Sequence, residues 1–256
     1  MKINQQIADR PYVLTIAGFD PSGGAGLTSD IKTFEALKCY GLAVCTANTI
    51  QNDIEFTTCH WTTTNIIIAQ LDILFKRFEI NVVKIGIVKN WQVLSEIITT
   101  LLHYNPNIKI ILDPVLRSSS NFEFHASDEN ILDEILDKLH LLTPNFQEIK
   151  QLYHHKNTDE TIQHISSKTN LLLKGGHRPD NLGQDVLVTL NGKQYDLNPG
   201  AINHKEKHGS GCVLSSAISS HLALGEPLLT ACSNGKRYTE QFLSSCKHLL
   251  GYHTSN

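Results

Sequence analysis

No run of lysines and arginines occurs in the 256 residues, and 22 basic against 25 acidic side chains leave a formal net charge of −3. That balance offers no field to a nucleic-acid backbone or an anionic membrane. Long apolar runs are missing too. Stretches such as Ile66-Ile67-Ile68-Ala69 are far shorter than the roughly 20 residues a membrane-spanning helix needs. The start of the chain, Met1-Lys2-Ile3-Asn4-Gln5-Gln6, has no apolar core of the signal-peptide kind, so a cytoplasmic location is expected. Six cysteines are present without pattern: Cys39, Cys45, Cys59, Cys212, Cys232 and Cys246 include no C-x-x-C pair. Zinc and dithiol chemistry are therefore set aside, and free thiols are expected. Thirteen histidines give no H-E-x-x-H; His204 and His208 flank a charged, loop-like segment, and His154-His155 is a polar surface pair. No metal site built by the protein alone is expected.

What is present is alternation. Apolar runs with strand character cover 12–18, 43–50, 82–87, 109–113, 140–142, 170–174, 185–190 and 193–197, and a short one is possible at 55–58. Between them, helical periodicity marks 27–38, 62–78, 91–102, 131–139, 147–153 and 159–168; a helix through Cys212 and another over 228–249 end the chain. Asn191-Gly192 is a two-residue hairpin signal. Strand and helix in turn predict a mainly parallel sheet with helices on both faces, as one domain spanning 1–256. In such sheets ligands bind beyond the carboxyl ends of the strands. The glycine-rich and charged segments fall there: 18–26, Gln51-Asn52, Gly86, Asp113-Pro114, Pro144-Asn145, Lys174-Gly175-Gly176 and 209–212.

The most telling stretch is Lys207-His208-Gly209-Ser210-Gly211-Cys212, which runs into an apolar helix. A helix start presents unpaired N–H groups and partial positive charge, which together hold an anion. The same environment is expected to lower the thiol pKa of Cys212. The plainer alternative is a glycine-opened helix with a buried cysteine. Two familiar phosphate loops are excluded. No Gly-Lys-Ser or Gly-Lys-Thr occurs, and Gly24-Ala25-Gly26 is followed by Ser29 where a dinucleotide fingerprint needs glycine. The phosphate site is thus placed late in the chain, with the first glycine loop facing the acceptor.

A set of motifs in order completes the reading: Thr15-Ile16-Ala17-Gly18-Phe19-Asp20-Pro21-Ser22-Gly23-Gly24-Ala25-Gly26, Asp30-Ile31-Lys32-Thr33, Gln51-Asn52, Lys84-Ile85-Gly86, Leu112-Asp113-Pro114-Val115, Thr143-Pro144-Asn145-Phe146-Gln147-Glu148, Lys174-Gly175-Gly176-His177 and His208-Gly209-Ser210-Gly211-Cys212. With these, the chain resembles the hydroxymethylpyrimidine/phosphomethylpyrimidine kinases of thiamine biosynthesis, in the ribokinase-like superfamily. The resemblance implies a three-layer α/β/α fold and ATP-dependent phosphorylation of a hydroxymethylpyrimidine and then of its monophosphate, with Mg²⁺. It implies Gly209, Ser210, Gly211 and Cys212 as anion hole and base, and Asp30 and Gln51 as pyrimidine ligands. Gly18, Ile87 and Val115 would line the pocket, Lys174 and Lys236 would stand near the ATP phosphates, and Asn145 and Glu148 would serve phosphate and Mg²⁺. The expected partner is a small-molecule pyrimidine, with neither nucleic acid nor membrane, and the expected assembly a homodimer.

The chain departs from the family pattern in three places. Thr28 and Ser29 replace the usual Gln and Ala; Leu116-Arg117-Ser118-Ser119-Ser120-Asn121 lacks a Lys-Ser-Gly; and Leu249-Leu250-Gly251-Tyr252-His253 lacks a Gly-Pro tail, which points to narrowed activity. A pyridoxal/pyridoxine kinase and a non-catalytic pyrimidine-binding protein on the same fold are the alternative readings.

Overall fold

Strands made of continuous Val, Ile and Leu need cover on both faces, and the chain supplies it. The computed structural model describes residues 10–116, 128–176, 181–200 and 206–254. In chain order the elements are β1 (Tyr12–Phe19), α1 (Gly26–Ala36), β2 (Tyr40–Gln51), β3 (Phe56–Trp61), α2 (Thr64–Phe75), β4 (Val82–Ile85), α3 (Trp91–Tyr104), β5 (Lys109–Leu112), α4 (Glu129–Leu136) and β6 (Leu141–Leu142). Then come α5 (Ile149–Leu152), α6 (Thr158–Ser166), β7 (Asn170–Leu173), β8 (Asp185–Val188), β9 (Gln194–Leu197), α7 (Ser210–Ala223) and α8 (Leu228–Ser244). One sheet has the order β3-β2-β1-β4-β5-β6-β7-β8-β9. The six strands from β2 to β7 are parallel, and the ends, β3 on one side and β8-β9 on the other, run antiparallel. The strand order reverses between β1 and β4, which opens a crevice at their carboxyl ends.

Neighbouring residues of each strand feed opposite cores. Leu14, Val83, Ile110 and Leu171 pack with Ile67, Leu94, Ile97 and Leu132 beneath α2, α3 and α4. Val13, Val82, Ile111 and Leu172 pack with Phe34, Leu214, Ile218 and Cys232 beneath α1, α7 and α8. Local signals fix the helix starts: Asn90 accepts from the Val93 amide, Asp128 from Ile131, and Asn157 with Glu160 forms a reciprocal cap.

Several boundaries differ from expectation, and three of them have a plain local cause. The helix expected over 147–153 starts at Ile149, because Asn145 and Glu148 close a turn first: Asn145 Oδ1 accepts the Gln147 and Glu148 amides at 2.8 Å each, and Glu148 Oε2 accepts the Asn145 amide at 2.7 Å. The Asn191-Gly192 turn is wider than two residues, since the Leu190 amide leaves the ladder to donate to Asn170 Oδ1. Finally, α8 ends at Ser244 rather than near Leu249: the carbonyls of Cys246 and His248 accept from the Lys207 ammonium.

Candidate active site

The site forms where α7 begins above the carboxyl ends of β1, β4 and β5. Gly209 caps α7 with φ +74°, a conformation open to glycine. A side chain there would also strike the first glycine loop, since a Cβ would lie 2.0 Å from the Gly24 carbonyl oxygen. That first loop is organised by Asp20, whose carboxylate accepts the Ser22 amide at 2.8 Å, the Ser22 hydroxyl at 2.9 Å and the Ala25 amide at 2.9 Å. His208 Nε2 lies 2.9 Å from the same carboxylate and ties the loop to the start of α7. Burial works against charge on Asp20, but the His208 and Ser22 contacts hold its carboxyl below the usual range.

Under α7 lies a layer of charge. Lys84 on β4 is fully enclosed and donates to Asp30 Oδ2 at 2.8 Å. Thr15 donates to the same oxygen at 2.6 Å, and Ser216 of α7 donates to Asp30 Oδ1 at 2.6 Å. Beside this group, Asp113 accepts from Lys174 at 2.7 Å and from Ser215 at 3.3 Å, and Glu148 stands 3.7 Å from Lys174. A Cβ on Gly211 would stand 3.4 Å from Lys174 Nζ, so this ammonium lies against the Gly209–Cys212 loop. Burial opposes charge on Lys84, yet Asp30, Cys212 and Asp113 keep its pKa above the ordinary lysine value; Asp113 and Glu148 do the same for Lys174. Burial lifts the Glu148 carboxyl to about 7, against the pull of Lys174.

Cys212 reverses the expectation of a lowered pKa. Its half-buried thiol is pushed up to about 11 by burial first; Lys84 opposes the rise, and Asp30 and Asp113 add to it. A free helix start lowers a thiol pKa only if water or cations outweigh the surroundings, and here desolvation and two carboxylates win.

The expected residues fall into three groups. Gly209, Ser210, Gly211, Cys212, Lys174, Asn145 and Glu148 converge around the start of α7 and the end of β7, where Lys174 bridges to Asn145. The acceptor side holds Gly18 packed on Ile87, with the Gln51 amide donating to Thr49 Oγ1 at 2.8 Å and Thr49 to the Phe19 carbonyl at 2.8 Å. Val115 and Gly86 line one small cavity with Asp113. Two residues are held differently from a side chain free to meet a ligand. Asp30, expected as a pyrimidine ligand, has 0% exposure and both oxygens engaged internally, by Thr15 and Lys84 on one side and Ser216 on the other. Lys236, expected beside the phosphates, is bound to Asp185 at 3.1 Å, to the Gly183 carbonyl and to Glu240 at 3.5 Å. Asp185 in turn accepts the Gly175 amide at 2.7 Å, so Lys236 props the loop that follows Lys174. Positions 117–121, His177 and His204 lie outside the described residues.

Sequence reasoning passed over Lys84 and Asp113 as site residues. Each carried a signal: Lys84 is a lone charge in Val82-Val83-Lys84-Ile85, and Asp113 closes an apolar strand. A charge in a strand buried on both faces needs a partner.

A glycine loop at a helix start, two lysines and three carboxylates stand together at the carboxyl edge of a doubly wound sheet, and the proteins this chain matches make it a phosphotransferase of the ribokinase-like class. The chain belongs to the phosphomethylpyrimidine kinase family, whose model matches residues 20–255. It is 34% identical over 247 residues to the hydroxymethylpyrimidine/phosphomethylpyrimidine kinase of Aquifex aeolicus, covering 92% of this chain and 95% of that one. It is 33% identical over 220 residues to the Escherichia coli kinase of the same name, covering 82% of each. Among solved structures, phosphomethylpyrimidine kinase from Clostridium difficile superposes with a TM-score of 0.75 at 32% identity, over 91% of this chain and 99% of the other. The pyridoxal kinase of Staphylococcus aureus in complex with ADP shares the fold, with a TM-score of 0.83 at 20% identity over 96% and 94% of the two chains.

Proposed function

We propose that this kinase transfers the γ-phosphoryl group of ATP to the hydroxymethyl group of 4-amino-5-hydroxymethyl-2-methylpyrimidine and then to the resulting monophosphate. The observation that carries the reading is the convergence of the Gly209–Cys212 loop with Lys174 and Asp113. Phosphoryl transfer asks a protein mainly to position groups and neutralise charge. The first-turn amides of α7 and the Lys174 ammonium do this for the phosphates. Gln51, half-buried at the rim, carries a donor and an acceptor on one amide, which suits an aminopyrimidine edge.

The residues present also fit Mg-ATP. A carboxylate buried beside a lysine, as Glu148 is, gains from a divalent cation brought in with the phosphates, and Asn145 is fixed next to it. Such an ion would neutralise phosphate charge. The acceptor hydroxyl loses its proton to Cys212. Because the resting thiol is raised to about 11, the base is a minor form at neutral pH, and turnover should climb with pH by close to tenfold per unit between roughly 7 and 9. Cys212→Asp should keep more activity than Cys212→Ala and should flatten that limb.

The test is ATP consumption with hydroxymethylpyrimidine, its monophosphate and pyridoxal, each across pH, for wild type and both variants. Preference for pyridoxal would overturn the pyrimidine assignment. A Cys212→Ala enzyme with near wild-type kcat would remove Cys212 from the proton path.

A further inference from the structure

Cys212 and Ser216 are four residues apart on α7 and so share one face of the helix, a turn apart. Ser216 is bonded to Asp30 at 2.6 Å, and Asp30 holds Lys84 at 2.8 Å. That face therefore looks down on a lysine–aspartate pair with no exposure to solvent. Ser215, three residues after Cys212, meets Asp113, which places the second lysine–aspartate pair alongside. A Cβ on Gly86, at the end of β4, would stand 3.0 Å from Lys84 Nζ, so the ammonium reaches the carboxyl edge of the sheet where the site opens.

Stability alone gives no reason for a charge here. A buried ion pair costs desolvation, and well-packed apolar residues of similar volume are often as stable or more so. We propose that Lys84 is a positioning residue for the transfer reaction: its ammonium, fixed by Asp30, sets how readily the Cys212 thiol gives up its proton. The proposal rests on the reading that Cys212 accepts the proton of the acceptor hydroxyl. The charges that act on Cys212 are those of Lys84 on β4, Asp30 on α1, Asp113 after β5 and Lys174 after β7, and the Gly26 amide at the start of α1 hydrogen-bonds its thiol. Of these charges Lys84 acts most strongly on the thiol and Asp30 next, with opposite sign. A role confined to folding would move the thiol in neither direction.

The experiment is the pH dependence of Cys212 alkylation by iodoacetamide, read by peptide mass mapping, with kcat measured in parallel. In Lys84→Met the alkylation rate at pH 8 should fall by about tenfold or more, the effect of removing a nearby opposite charge. Asp30→Asn should raise the rate. Lys84→Met leaves Asp30 buried without its cation, so the double variant Lys84→Met/Asp30→Asn covers the case in which the single one does not fold. The double variant should react more slowly than wild type and far more slowly than Asp30→Asn. In each variant the rising limb of kcat against pH should move with the alkylation curve. Alkylation curves of the folded Lys84 variants that overlie wild type overturn the proposal and leave Cys212 as base untouched. Full kcat in Cys212→Ala overturns the base reading, and with it any service Lys84 does to the reaction, even if alkylation shifts as described.

Discussion

The two faces of the sheet are built from the same strands and behave as different materials. On the α2–α3–α4 face every inward residue of the central strands is apolar, from Leu14 and Ile16 to Ile85, Leu112 and Leu142. On the α1–α7 face the same strands carry Val13, Val82 and Ile111, but two residues further on each turns polar: at Thr15 within β1, at Lys84 one residue before the end of β4, and at Asp113 just after β5. The apolar residues hold the sheet together, and the polar residue that follows them on one face joins the charged layer under α7. Geometry compels this division: the reaction edge lies at the carboxyl ends, and only the face under α7 meets the anion loop.

Substitutions on each face should separate the two roles. The largest effect belongs to Lys174→Ala on the polar face. Losing the ammonium against the anion loop should lower kcat by about 10²–10³-fold, while pyrimidine binding measured by calorimetry stays close to wild type; unchanged turnover with saturating Mg-ATP would take Lys174 out of the chemistry. On the apolar face, Leu94→Ala in α3 should cost about 2–5 kcal/mol of stability with kcat per folded molecule unchanged. Denaturant unfolding checks the first number, and a drop in kcat would show that the two faces are coupled. At the rim, Gln51→Leu should raise the pyrimidine KM by the equivalent of about 1–3 kcal/mol, with no change in stability; calorimetry at wild-type affinity would make Gln51 an ordinary strand end.

The smallest effect is an acid one, on the polar face's outer seam. His253 packs on Phe242 and approaches Tyr238 and Thr33, and burial pushes its pKa down to about 4. The unfolded chain binds this proton near 6.5, the folded chain only near 4. Stability should therefore fall as pH drops from about 6.5 towards 4 and be level above that window. His253→Phe should reduce this slope, seen as Tm against pH, by its own share only, because buried His140 is also held down to about 4 and titrates over the same window; an unchanged slope would assign the acid sensitivity elsewhere.

Much of this arrangement was legible in the sequence because it is periodic or local. Continuous apolar strands, helical stripes between them and glycines at strand ends gave the parallel sheet and the edge where ligands bind. The ordered motifs gave the ribokinase-like fold. What escaped depends on residues far apart in the chain. The thiol of Cys212 was read from its helix start, whereas its proton affinity is set by burial and by carboxylates 182 and 99 positions away, at Asp30 and Asp113. Asp30 was expected, from the family resemblance, as a pyrimidine ligand; the partners that enclose it, Thr15, Lys84 and Ser216, come from three other elements. The early end of α8 was hidden for the same reason, since Lys207, which takes its next carbonyls, lies 39 residues before Cys246.

Gly209 and Gly24 touch main chain to main chain, and that contact has a meaning beyond the shape of a loop. On the proposed reading one strand of contact belongs to the acceptor and the other to the phosphates. The span between them is then gauged by backbone atoms, which sequence drift cannot lengthen or shorten. On that reading, half-exposed rim positions such as Gln51 and Val115 can be recut for a different ring while the gauge stays fixed. Choice of acceptor and distance to the phosphate would then be set by different atoms, the first by side chains and the second by main chain.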